Sequence, residues 1–187
     1  MQKITPHLWF DTQAKEAAGL YTSVFPESRI VDTSVLHDTP SGDCDIVTFE
    51  VWGQKFMSIS AGPLFKFNPS ISFLVNFDPS REANARQRLD ETWNRLTAEG
   101  TVVIPLAETP FSQRYGWLED RYGLSWQLSL TDMEGTKRPP IVPSLLFVGP
   151  QLGRAEHAIK YYLSVFDDTE MGELHRYDPG PTPDETG

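Results

Sequence analysis

His7 lies in the short apolar run Ile4-Thr5-Pro6-His7-Leu8-Trp9-Phe10. An imidazole there could act as a general base on a bound molecule. Further along, Ser125, Gln127 and Ser129 recur at every second residue of Leu124–Leu130, against Leu124, Trp126, Leu128 and Leu130. That period is a strand's, so the amide and two hydroxyls share one face. Such a row can hold a ligand's carbonyl or hydroxyl; a solvated outer face has the same pattern. Ser58 and Ser60 alternate in the same way with Met57 and Ile59. Phe65 and Phe67 sit in the loop Gly62–Pro69, where they either plug the core or wall a pocket, together with Trp9. The plain alternative for His7 is a strand histidine satisfied by a serine hydroxyl. For His37, His157 and His175, surface or cap roles suffice. No GxSxG, P-loop or HExxH sequence occurs, and no GxG.

The elements that must position these residues follow from periodicity. Residues 4–10 predict a strand, and Asp11 or Thr12 can cap a helix over Ala14–Phe25, where Ala17, Leu20, Tyr21, Val24 and Phe25 recur at three and four before Pro26. Ser28–His37 predicts a strand, Asp38–Asp45 a loop, and Ile46–Trp52 with Lys55–Ala61 a hairpin. The order then repeats: a strand over Ser70–Phe77, a helix from Asp78-Pro79 to Glu99 stopped by Gly100, and a strand over Thr101–Ala107 whose Pro105 marks an edge or bulge. A hairpin over Tyr115–Leu130 turns through Glu119–Gly123. Residues 4–62 and 70–130 therefore each read β-α-β-β-β, with Phe73, Val75, Trp126 and Leu128 predicted to pack against the helices.

A third start follows a linker over residues 131–140. Ile141-Val142-Pro143-Ser144-Leu145-Leu146-Phe147 matches the opening run, and Ala155–Phe166 shares Ala, Ala, Tyr, Ser, Val and Phe with Ala14–Phe25. One more strand is expected over Thr169–Tyr177, then a Pro/Asp/Gly tail. The expected organisation is a domain over 1–130, a linker over 131–140, and the incomplete start of a second domain over 141–187. The apolar stripe of the third unit must be covered, either by residues 4–130 of the same chain or by its counterpart across a two-fold axis; the second, a homodimer whose interface includes residues 141–177, is the expectation.

Bulk composition narrows the function classes. The 187 residues are 39% hydrophobic and 22% charged, with a net charge of −10. That charge disfavours nucleic acid and anionic membranes as partners. Cys44 is the single cysteine, so an intrachain disulfide and a CxxC metal site are excluded. No apolar run approaches the ~20 residues of a membrane span, and Met1–Phe10 is no signal peptide. A cytoplasmic protein is expected.

The tandem β-α-β-β-β units, opening TPHLWF and closing GWLEDRYGLSWQ, with YTSVFP and GQKFMSISAGPLFKFNPSISFLVN between, resemble the PhnB-like, "3-demethylubiquinone-9 3-methyltransferase-like" branch of the vicinal-oxygen-chelate superfamily. That superfamily includes glyoxalases, bleomycin-resistance proteins and extradiol dioxygenases. The resemblance implies an α+β fold in which paired units form a cupped mixed sheet around a ligand. It also carries the superfamily's metal-ligand positions onto His7, Ser58, Ser70 and Gln127. Serines are poor ligands for a transition metal, so no metal cofactor is expected beyond a weakly held divalent ion. Methyl transfer is not expected either, because S-adenosylmethionine is commonly held on a doubly wound sheet with a Gly-rich first turn. Two functions follow. One is a protein binding a small oxygenated or aromatic metabolite through Trp9, Ser58, Ser70, Gln127, Phe65 and Phe67. The other is an enzyme on such a metabolite, of lyase, isomerase or dioxygenase type, using His7.

Overall fold

The computed structural model describes residues 4–131 and 138–176. The first half comprises β1 (His7–Phe10), α1 (Ala14–Val24), β2 (Arg29–Thr39), β3 (Gly42–Val51) and β4 (Gln54–Ser60). The second comprises β5 (Ile71–Phe77), α2 (Ala85–Thr97), β6 (Thr101–Thr109), β7 (Ser112–Glu119) and β8 (Ser125–Leu130), followed by β9 (Ile141–Leu145). Both halves are β-α-β-β-β, as their periodicity predicts. They form two mixed sheets, ordered β1-β4-β3-β2 and β6-β7-β8-β5-β9, with β1 parallel to β4 and β5 parallel to β8.

Alternation along the strands decides which faces meet. Phe73, Val75, Trp126 and Leu128 are all buried on the helix side, where each contributes roughly 1.5–3 kcal/mol of burial. One core joins the halves: the Trp126 ring lies against Tyr21 of α1, and Phe73 against Phe56 of β4. The helix termini are also satisfied across the fold. Ser60 Oγ on β4 accepts the Ala14 N–H at 3.1 Å, and Arg95 of α2 donates to the Ser23 carbonyl at 2.6 Å.

Several local expectations are corrected. Asp11 and Thr12 do not cap α1; Gln13 occupies the N-cap without a side-chain cap bond, and the strand residue Ser60 supplies the acceptor. The segment 38–45 is no long loop, since β2 runs to Thr39 and β3 starts at Gly42. The tight turn between them is held by Thr39 Oγ1 donating to the Gly42 carbonyl and Ser41 Oγ to the Ala61 carbonyl. The second helix begins at Ala85 rather than at Asp78-Pro79, because the Asp78 carboxylate takes the Ser80 N–H and hydroxyl in a local turn that competes with helix. Gly100 does not supply the left-handed residue after α2; Glu99 does, at φ 64°. Gly100 is needed for space, since a Cβ there would lie 2.5 Å from the Glu119 carbonyl oxygen. Gly123 does adopt φ 82° in the β7–β8 hairpin. Pro105 lies on edge strand β6, whose pairing with β7 shifts register around it.

The chain forms two compact units, the first ending at Leu146 and the second beginning at Phe147. β9 thus belongs with the first unit, paired antiparallel to β5 of its own chain. The second unit holds α3 (Ala155–Val165), the repeat of α1. Residues 169–176 form no strand, so within this unit α3 has no sheet to pack on among the described residues. Tyr177 and the tail lie outside the described residues, as does most of the expected linker. No helix among the described residues is long and apolar enough to cross a membrane.

Candidate functional site

β1 turns Leu8 and Phe10 into the core and His7 and Trp9 to the opposite face. Trp9 then organises the loop after β4. Its indole N–H donates to the Gly62 carbonyl at 2.8 Å, and the Phe65 ring stands edge-on to it at 5.1 Å. Phe67 packs on Phe10 at 5.1 Å. These contacts fold residues 62–70 back beside β1 and leave a cleft of ≈ 350 Å³. His7, Trp9, Phe65, Phe67 and Ser70 all line it, so five of the seven candidate residues converge there. The Phe65 and Phe67 rings serve both readings at once: Phe67 packs against the core while both wall the cleft.

His7 is exposed at this cleft and makes no hydrogen bond among the described residues. The reading of a serine-satisfied strand histidine does not hold here. An imidazole without a structural partner is free to engage a bound molecule.

Ser58 and Gln127 lie elsewhere. The β1–β4 register sets His7 beside Met57 and Leu8 beside Ser58, so Ser58 shares the core-facing side with Leu8. It is fully buried, its hydroxyl 3.4 Å from the carbonyls of Ala14 and Val47. Gln127 is in the other sheet, where Tyr115 donates to its Oε1 at 2.6 Å and its Nε2 donates to Ser72 at 2.7 Å. Its neighbour Ser125 is also buried and accepts the Trp117 indole N–H at 2.6 Å. That polar strand face is therefore a structural hydrogen-bond network rather than a solvated surface.

The set His7, Ser58, Ser70 and Gln127 consequently does not converge on one point. Among the described residues no three His, Cys, Asp or Glu side chains are grouped to hold a metal ion. These four residues therefore do not form one donor set for a transition metal.

Sequence reasoning missed Lys66, which lines this cleft and a second one of ≈ 280 Å³ beside it. The signal was present, a lysine set between two phenylalanines. Tyr122 lines the second cleft and donates to Glu16 at 2.7 Å; burial, then that hydrogen bond, pushes its phenol up to about 12. It stays protonated at neutral pH and serves as a donor. Together the two clefts offer aromatic walls, one ammonium group and one free imidazole.

A family profile described as 3-demethylubiquinone-9 3-methyltransferase matches residues 2–129. Among solved structures, the chain is similar to a PhnB protein from Bacillus cereus named for 3-demethylubiquinone-9 3-methyltransferase. Identity is 36%, over 70% of this chain and 100% of that one, with a TM-score of 0.61. A protein from Pseudomonas aeruginosa aligns at 18% identity over 70% of this chain and 98% of its own, with a TM-score of 0.54. A glyoxylase/bleomycin resistance protein/dioxygenase domain from Frankia sp. EAN1pec aligns at 13% identity over 72% and 96%, with a TM-score of 0.50. The last two establish likeness of fold alone. No curated protein matches the chain.

Proposed function

Because the chain belongs to the 3-demethylubiquinone-9 3-methyltransferase-like family, the PhnB-like branch of the vicinal-oxygen-chelate superfamily, we propose that it binds a small oxygenated or aromatic metabolite in the cleft beside β1. The observation that carries this reading is the convergence of His7, Trp9, Phe65, Phe67 and Ser70 on one concave surface. Aromatic walls with a few polar groups are what a small-molecule site needs. The Ser70 side chain, His7 and Lys66 supply the polar contacts, and an oxygen-rich or anionic ring compound satisfies them best. The reading places the protein in the cytoplasm, without a nucleic-acid or membrane partner.

Methyl transfer is not part of it. Neither sheet is the doubly wound parallel kind that commonly holds S-adenosylmethionine. The test is a thermal-shift and intrinsic-fluorescence screen of phenolic, quinone-like and hydroxy-acid compounds. Hits should lose affinity in Trp9→Ala and keep it in Ser58→Ala. Hits that bind Trp9→Ala unchanged would move the site elsewhere.

A second reading rests on the unpartnered His7. It makes the protein an enzyme that removes a proton from the bound metabolite. In that case His7→Ala abolishes turnover while a reduced thermal shift with the ligand remains, whereas a binding protein shows no turnover in either form.

A further inference from the structure

The cleft beside β1 is rich in hydrogen-bond donors and poor in free acceptors. Lys66 lines it and makes no hydrogen bond or ion pair among the described residues, so its ammonium group has three donors to offer. The orientation of the Asn68 amide is fixed by its Oδ1, which accepts the Ser70 N–H at 2.9 Å. Its Nδ2 is then left to donate. His7 presents at least one ring N–H in either tautomer, and Ser70 adds a hydroxyl. Backbone acceptors of the same lining residues are engaged elsewhere. The Pro6 carbonyl takes the Met57 N–H at 2.9 Å, and the Ser70 carbonyl takes the Leu146 N–H at 2.9 Å. A bound group that matches this set must itself accept. An ionised carboxylate does only that, with two oxygens, about four lone-pair sites and no proton.

Charge favours the same group. No Asp or Glu lines this cleft among the described residues, although the chain carries 26 acidic residues against 16 Lys and Arg. The neighbouring cleft shares Trp9, Phe65, Lys66 and Phe67 but adds Asp11, whose carboxylate opposes the lysine there. An anion is therefore drawn to the cleft that holds His7, where no lining carboxylate offsets Lys66.

The kind of anion follows from the lining. Phosphate recognition draws on forked arginines or on the open N–H groups of a helix terminus. Neither an arginine nor a helical residue lines this cleft among the described residues. A lone lysine is a compact point charge and balances one negative charge. The remaining surface is apolar. Leu8, Phe73 and Leu124 reach it from the core, and Phe65, 59% exposed, stands edge-on to Trp9 with a face to give to a ring.

Building on the proposed binding of a metabolite in this cleft, we propose that its ligand class is the aromatic monocarboxylate. The ring lies among Trp9, Phe65 and Phe67, and Lys66 holds the carboxylate. Lys66 is then the residue that sets specificity by charge, while the aromatic walls select the ring. A neutral ring forgoes the ion pair. A ring phosphate brings a second charge with no arginine or helix terminus to meet it, and a ring ammonium compound faces the lysine directly.

Calorimetric titration of the full chain with benzoate and naphthoate, their amides, phenyl phosphate and benzylamine tests this. The acids should bind about tenfold or more tighter than their amides, and the advantage should shrink as salt is raised. Lys66→Met keeps an apolar stem and removes the charge. It should weaken the acids by about tenfold or more and leave the amides unchanged. Lys66→Arg should keep most of the preference, and Phe65→Ala should weaken acids and amides alike. Lys66 is exposed, so its replacement leaves the core untouched. Three results overturn this inference and leave the cleft as the binding site: amides that bind the wild type as tightly as acids, phenyl phosphate or benzylamine that matches the acids, or an acid preference that survives Lys66→Met. Binding of no ring compound of any charge at millimolar concentration overturns both.

Discussion

The Tyr21 phenol donates to Asp120 Oδ2 at 2.8 Å, from α1 in the first half to the β7–β8 turn in the second, 99 residues away. The same oxygen accepts the Trp126 indole N–H at 2.9 Å, and Oδ1 takes the backbone N–H groups of Tyr122 and Leu124. One buried carboxylate therefore shapes the hairpin and ties the two units together.

Tyr21→Phe removes one of those donors and leaves Asp120 short of a partner in the core. Unfolding in urea should show a loss of about 1–3 kcal/mol with little change in the slope of the transition.

Burial pushes the Asp120 carboxyl up and outweighs the donors that lower it. With a folded pKa above the unfolded one, the native state holds more protons between the two values. The contribution to stability is full below the ordinary carboxylate range and is lost as pH rises through the raised value. The stability of the wild type relative to Asp120→Asn should thus be more favourable in mild acid than at neutral pH. Denaturant titrations of both proteins over that range measure it, and a difference that grows with rising pH would contradict the assignment.

Gly100→Ala sets a methyl group 2.5 Å from the Glu119 carbonyl and 2.9 Å from that of Leu96, both backbone atoms that cannot swing aside. A loss of about 1–3 kcal/mol is expected, read as a lower Tm. If Ala is tolerated, the close approach of the α2 terminus to β7 is not as described.

Ser60→Ala deletes the acceptor for the first N–H of α1 and should cost about 0.5–2 kcal/mol. Thr12→Ala should cost little, because that hydroxyl does not cap the helix. Comparing the two variants by thermal unfolding separates a cap supplied from β4 from one supplied by sequence neighbours.

Ser58→Ala should leave ligand affinity unchanged, whereas Phe65→Ala should lower both affinity and any fluorescence response from Trp9. A titration in which Ser58→Ala weakens binding as much as Phe65→Ala would place the ligand on the core side of β4 instead of in the cleft.

The sequence by itself determined the two β-α-β-β-β units, the repeat of β1 and α1 in β9 and α3, and the inward faces of β5 and β8. Each of these rests on a local period or on a direct match between segments, and both survive whatever surrounds them. It also marked Trp9, Phe65 and Phe67, because large aromatic side chains beside a short strand need a wall to pack on. Tertiary structure decided the rest. Whether Ser58 joins His7 depends on the β1–β4 register, and a shift of one residue exchanges the two faces of a strand. Gln127 shares its alternation with many solvated residues; only the approach of Tyr115 and Ser72 from neighbouring strands saturates it. The start of α2 was settled by Asp78 closing on Ser80, and the cap of α1 by a serine 46 residues away. Such contacts bring together residues far apart in the chain or set one local bond against another, and no period in the sequence records them.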